Sequence, residues 1–183
     1  YHDGVFQGTI TSSTKKKTIT GYTYDSANPV TLTIVADESQ NIIKLYYERR
    51  HDLQYTVKYW DKDTNTEIKT AKTVTNKTLG DVLTAESEVE TIPGYNYDSC
   101  NPVSITVGVN ASNNVINLYY TKKTDIGYTV KHYEKGTTTE IAIADTYNDG
   151  VFQGTITSST KQKSIEGYTY DSANPVTLTI VAD

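Results

Sequence analysis

The stretch GYTYDSANPVTLTIVAD occurs twice in the chain, letter for letter, at residues 21–37 and 167–183. A looser copy, GYNYDSCNPVSITVGVN, lies midway at 94–110, so each copy follows the one before by 73 residues. The same spacing brings Tyr55-Thr56-Val57-Lys58 back as Tyr128-Thr129-Val130-Lys131, and Leu45-Tyr46-Tyr47 back as Leu118-Tyr119-Tyr120. A gapless repeat constrains the fold more than composition does, because each unit must be one supersecondary structure used again. In this frame residues 51–123 form a complete repeat. Residues 1–50 form a partial repeat lacking its first strand, and 124–183 a partial repeat lacking its last. Residues 1–37 match 147–183 at 33 of 37 positions, so the first and third repeats resemble each other more than either resembles the second.

A unit of this size is near the lower limit for a self-sufficient core, since domains of about 60 residues bury only about 60% of their unfolded surface. Each repeat is therefore expected to lean on its neighbours. A net charge of −5 and a pI near 5.2 argue against a nucleic-acid partner, which calls for clustered lysine and arginine. The one basic run, Lys15-Lys16-Lys17, has Gln162 in the middle of its third-repeat counterpart and reads as a solvated loop. A single cysteine, Cys100, excludes an intrachain disulfide. Its counterparts Ala27 and Ala173 suggest that it fills a small space. The absence of methionine suggests a fragment of a longer protein, and no apolar run reaches membrane length, so no membrane insertion is expected of this segment.

Within the complete repeat the alternation of YTVKYW places Tyr55, Val57 and Tyr59 on one face, the period of a half-buried strand. DKDTNT at 61–66 is turn chemistry, and EIKTAKTVT reads as the returning arm of a hairpin. Residues 78–89 could hold a short helix capped by Thr78, but the equivalent FQGTITSSTKQK is poor in helix formers. The expectation is an irregular crossover with at most one or two helical turns. DSCNP is expected to turn, with Asn101 held extended by Pro102. VSITVGV should then point Val103, Ile105, Val107 and Val109 inward and Ser104 and Thr106 outward. After NASNN, VINLYY should point Ile116, Leu118 and Tyr120 inward. Two polar joints of seven residues, ERRHDLQ at 48–54 and TKKTDIG at 121–127, would hold neighbouring repeats end to end as a rod.

YTVKYWDKDTNTEI, then IPGYNYDS, then a valine-rich hairpin closing on NVINLYYTKK, resembles the mucin-binding-protein repeats of Gram-positive bacterial cell-surface adhesins. The resemblance covers essentially the whole chain. It implies a mainly β (at most α+β) architecture of tandem β-grasp-like, ubiquitin-like repeats. It also implies an extracellular, cell-wall-anchored location and an adhesive or spacing role, with host mucin, another glycan or an extracellular protein as partner. The middle segment of the third repeat, 147–163, departs from that pattern in lacking a convincing helix.

No residue pattern points to catalysis. His2 is replaced by Asn148, His51 lies in a joint and His132 takes the place of Tyr59, so no nucleophile or acid–base pair recurs and the chain reads as a non-enzyme without a cofactor. Asp61-x-Asp63-x-Asn65-x-Glu67 opens like a calcium loop. It has Thr66 where the glycine belongs and Lys72 where the bidentate glutamate belongs, and so reads as a solvated turn rather than a metal site. Lys58 and Asn117, candidates for an internal isopeptide bond, fall on the polar face, where the amine stays protonated.

The 16 tyrosines are the most informative composition. Tyr22 and Tyr24, Tyr95 and Tyr97, and Tyr168 and Tyr170 recur in register and are the candidate ligand-binding residues. Cross-strand packing explains their recurrence equally well. Three classes of function stay open: repeats that bind glycan or protein by avidity, a passive stalk, and self-association through open strand edges.

Overall fold

The structure, a computed structural model, describes residues 4–182 and is mainly β. The first repeat contributes β1 (Thr9–Thr11), β2 (Tyr22–Asn28), β3 (Thr31–Thr33) and β4 (Lys44–Arg49). The second contributes β5 (Leu53–Asp61), β6 (Thr66–Lys77), β7 (Val82–Thr84), β8 (Tyr95–Asn101), β9 (Ser104–Thr106) and β10 (Val115–Lys122). The third contributes β11 (Ile126–Tyr133), β12 (Glu140–Gly150), β13 (Thr155–Thr157) and β14 (Thr177–Thr179). Short 3-10 turns are the only helical elements among the described residues.

The middle repeat forms a four-stranded sheet in the order β6-β5-β10-β8. The N–H of Thr56 donates to the carbonyl of Asn114 (2.9 Å) and that of Lys62 to the carbonyl of Tyr120 (2.8 Å). Partner numbers climb together, so β5 and β10, the first and last strands of the repeat, run parallel. Alternation decides what is buried. Along β5 the inward residues Leu53, Tyr55, Val57, Tyr59 and Asp61 are at most 5% exposed, and Ile116, Leu118 and Tyr120 of β10 at most 1%. The alternation expected of both strands is what the structure has.

A smaller ladder, β7 with β9, pairs Leu83 with Ile105 and recurs as β1–β3 (Ile10 with Leu32) and β13–β14 (Ile156 with Leu178). This ladder replaces the short helix considered for 78–89. Only one 3-10 turn, Ala85–Glu88, remains there, and the N–H of Thr78 is taken by the Asp81 carboxylate (2.9 Å). That single turn is within the one or two helical turns expected there, whereas three other expectations need correcting. Val103 is 72% exposed and Val109 38% exposed: β9 begins only at Ser104, and the chain has left the strand by Gly108. Asp98, Ser99 and Cys100 continue β8 rather than turning, and the bend falls at Pro102 and Val103. The joints are three residues long, 50–52 and 123–125, because the flanking strands run into the segments read as linkers.

Identical sequence takes two forms. YTYDSAN is strand β2 at Tyr22–Asn28, paired antiparallel with β4. At 168–174 the same seven residues are not a strand. The equivalent of β4 is the element the third repeat lacks, so the strand state of this stretch comes from its partner and not from its own letters.

Compact packing is out of phase with the sequence repeat. One compact unit holds the chain up to Val57 with Ala71–Ser87 and Asn101–Ile116. The other holds Lys58–Thr70, Glu88–Cys100 and the chain from Asn117 onward. The first holds the whole described first repeat and the second the whole described third, while the middle repeat is divided between them in alternating segments.

Candidate functional site

Two constellations recur in these strands: a pair of packed tyrosines, which borders a groove in the middle repeat, and a joint between repeats. In the groove, β8 alternation sends Tyr95 and Tyr97 to one face. The Tyr97 ring meets Tyr120 edge-on, centroids 5.7 Å apart and planes at 73°. Val89, Glu90, Thr91, Ile92, Asn96 and Lys123 complete a shallow groove of about 280 Å³. Tyr97 remains 40% exposed, so its ring both packs and faces solvent. The first repeat repeats the pair as Tyr24 on Tyr47, at 5.8 Å and 82°, with the Lys16 ammonium 3.8 Å from the Tyr24 centroid. Tyr22 is 38% exposed. In the third repeat, without a last strand, Tyr168 and Tyr170 are 49% and 47% exposed. Of the six candidate tyrosines, Tyr24 and Tyr97 each pack on a second tyrosine, while Tyr168 and Tyr170 of the third repeat are about half exposed.

The floor of the groove is a polar network that the sequence reading missed. The Tyr59 hydroxyl donates to the Glu90 carboxylate (2.9 Å), Lys69 pairs with the other Glu90 oxygen, and the Tyr120 hydroxyl donates to the Glu90 carbonyl (2.9 Å). Burial, reinforced by the Glu90 charge, holds the Tyr59 phenol far above its ordinary pKa, so it stays a donor at any physiological pH. The third repeat carries the opposite charges. Lys163 stands in the place of Glu90 and bonds Asp145 of β12 (2.8 Å), while His132, in the place of Tyr59, meets the other Asp145 oxygen (3.0 Å). Glu90 faces a lysine of β6 and Lys163 an aspartate of β12, so the crossover is tied to the hairpin with the polarity reversed. The exchange is visible in sequence only once the contact is known.

Asp61 is buried at the foot of β5. Its Oδ1 takes the N–H groups of Asp63 (2.9 Å) and Thr64 (3.0 Å), and the Tyr95 hydroxyl approaches Oδ2 at 3.4 Å. The carboxylate is spent on closing its own turn, not held open for a cation. Burial pushes the Asp61 pKa up, but the two N–H donors outweigh it and leave it below the ordinary carboxylate range. On the polar face, the Asn117 oxygen takes the Trp60 indole N–H (2.9 Å), and the Lys58 ammonium lies 5.9 Å from the same ring. An indole therefore stands by the pair considered for an isopeptide bond. His51 meets the Thr78 hydroxyl (3.0 Å), and His2 lies outside the described residues.

The joint is made twice with the same bonds. In one unit Arg50 donates its N–H to the Gly21 carbonyl (3.0 Å) and accepts from the N–H of Leu79 (2.9 Å). In the other, Lys123 donates to Gly94 (2.9 Å) and accepts from Phe152 (2.9 Å). Gly21 and Gly94 have φ of +81° and +78°, and a Cβ on either would lie 2.5 Å from the Leu79 or Phe152 side chain. Glycine is needed there for both the left-handed turn and the close approach. Phe152 also meets Tyr95 edge-on at 5.4 Å, so the joint and the groove share a wall. The equivalents without a neighbour are open: Phe6 is 63% exposed and nothing lies within 4 Å of a Cβ on Gly167.

No known family model matches the chain, and no curated protein matches it. No helix among the described residues is long and apolar enough to cross a membrane.

Proposed function

We propose that the chain is a segment of a bacterial cell-surface adhesin, made of β-grasp-like repeats of about 73 residues set end to end outside the cell wall. The fold reading is supported by the order second–first–last–third strand in the middle sheet and by the parallel pairing of first and last. The array reading is supported by the joint, which uses the same four backbone groups at both repeat boundaries.

The observation that carries an adhesive role is the repetition of a half-exposed tyrosine leaning on a second tyrosine, Tyr97 on Tyr120 and Tyr24 on Tyr47. In the middle repeat it lies beside Glu90, Asn96 and Lys123. An aromatic ring flanked by hydrogen-bonding groups suits a sugar face or a peptide, and weak contacts gain from repetition. Binding of the full chain to immobilised mucin and to a glycan array tests this. Saturable binding, weakened in Tyr97→Ala and more in Tyr24→Ala/Tyr97→Ala, is the expected result.

No binding at high micromolar concentration leaves the stalk reading, which the packing of Tyr95 against Phe152 favours. Self-association through strand edges is the third reading. Light scattering tests it, and a monomer at all concentrations dismisses it.

A further inference from the structure

The chain enters the middle repeat at Leu53 and leaves it at Lys122, the outer ends of two strands that are parallel and hydrogen-bonded to each other. The entry end of β5 lies beside Asn114, where Thr56 bonds, and the exit end of β10 lies beside Lys62, which bonds Tyr120. From this geometry we infer that the repeat is a mechanical clamp, whose further function is to bear tension along the chain.

The physical reason is the direction of load. Pulling on Leu53 and Lys122 draws β5 and β10 past one another along their length, so the bonds from Thr56 to Lys62 are strained together rather than one after another. An antiparallel hairpin pulled at its open end loads its bonds singly, and each net bond is weak, about 1 kcal/mol. Cooperative loading is what makes a set of such bonds strong. Water cannot replace them one at a time from the inner face, because Tyr55, Val57, Tyr59, Ile116, Leu118 and Tyr120 are at most 3% exposed. Beyond the exit the chain is still held, since Lys123 is bonded to both Gly94 and Phe152. Tension leaving one repeat therefore reaches the next through the joint.

The test is single-molecule force spectroscopy on the full chain with two attachment geometries. Cys100→Ala removes the native thiol, with Ala27 and Ala173 as precedent at the equivalent positions. Attachment at Asp52→Cys and Thr124→Cys loads β5 and β10 in shear. Attachment at Asp63→Cys and Thr124→Cys pulls from the same end of the pair and peels it. All three attachment residues are exposed, and unchanged circular dichroism verifies the fold of each variant.

In the shear geometry a single rupture is expected that releases roughly 260 Å of chain at about 3.6 Å per residue, less the folded separation of the two attachment points. Its force should be several-fold above that of the peeling geometry at the same pulling speed. Equal forces in the two geometries, or yielding in shear without a rupture peak, overturn the clamp. Both outcomes are independent of whether the repeats bind a ligand.

Discussion

Gly94 lies so close to Phe152 that a Cβ on the glycine would sit 2.5 Å from the phenylalanine ring. Their 58-residue separation is the same as that of Gly21 and Leu79, which pack in the same way. An interface repeated at this tolerance explains why units near the size limit for independent folding remain ordered: each borrows part of its packing from the next.

Gly94→Ala should destabilise the chain by about 2–4 kcal/mol, combining the left-handed backbone cost of about 1–2 kcal/mol with a clash that the ring must relieve. Gly167→Ala has the same turn, φ +80°, but open space around it, and should cost only the backbone part. Urea unfolding of the two variants separates the terms. Equal losses would mean that the joint adds nothing.

Phe152→Ala should cost about 1–2 kcal/mol, below the range for fully buried aromatics because the ring is only half-buried. Phe6→Ala, at the same position of the first repeat, should be nearly neutral because its ring is already 63% exposed. Thermal unfolding reads the contrast directly.

Asn114 is a buried peg: its amide bonds the carbonyls of Gln54 (2.9 Å) and Gly108 (2.8 Å), and its oxygen takes the Gly108 N–H (2.9 Å). Asn114→Ala leaves these backbone groups without partners and should cost about 3 kcal/mol. The side chain of Asn41, its first-repeat equivalent, bonds both backbone groups of Val35 and is half-exposed, so Asn41→Ala should cost clearly less. Denaturant midpoints compare the two.

Asp61 gives the acid limb of stability a defined source. Its folded pKa is lowered, so its contribution is fully present above the unfolded carboxylate value of about 3.9 and is lost as pH falls through the folded value. Asp61→Asn should lower stability at pH 7 and flatten the loss as pH falls below the unfolded carboxylate value of about 3.9. Stability measured against pH for both proteins checks the sign; parallel curves would place the acid sensitivity elsewhere.

What the letters reveal is what period-two alternation controls. Tyr55, Val57 and Tyr59, and likewise Ile116, Leu118 and Tyr120, could be placed inward from sequence because those strands are long and half-buried. Alternation failed at Val103 and Val109, where it was counted beyond the ends of a three-residue strand. The joint was not legible, since a glycine and a phenylalanine 58 residues apart carry no mark of contact; only their recurrence in frame, seen afterwards, signals it. The Glu90 to Lys163 exchange was likewise silent until Lys69 and Asp145 were found opposite them. The tyrosines recur visibly in the sequence, but whether each is wall or surface depends on the last strand, which sequence pattern alone does not position.

If each repeat is completed by its last strand, the twin stretches Tyr22–Asn28 and 168–174 should differ only through that strand. Appending residues 111–123 after Asp183 supplies that strand to the third repeat. Amide hydrogen exchange should then show 168–174 protected to the level of Tyr95–Asn101, against fast exchange without the extension. Unchanged fast exchange at 168–174 in the extended chain would contradict the account.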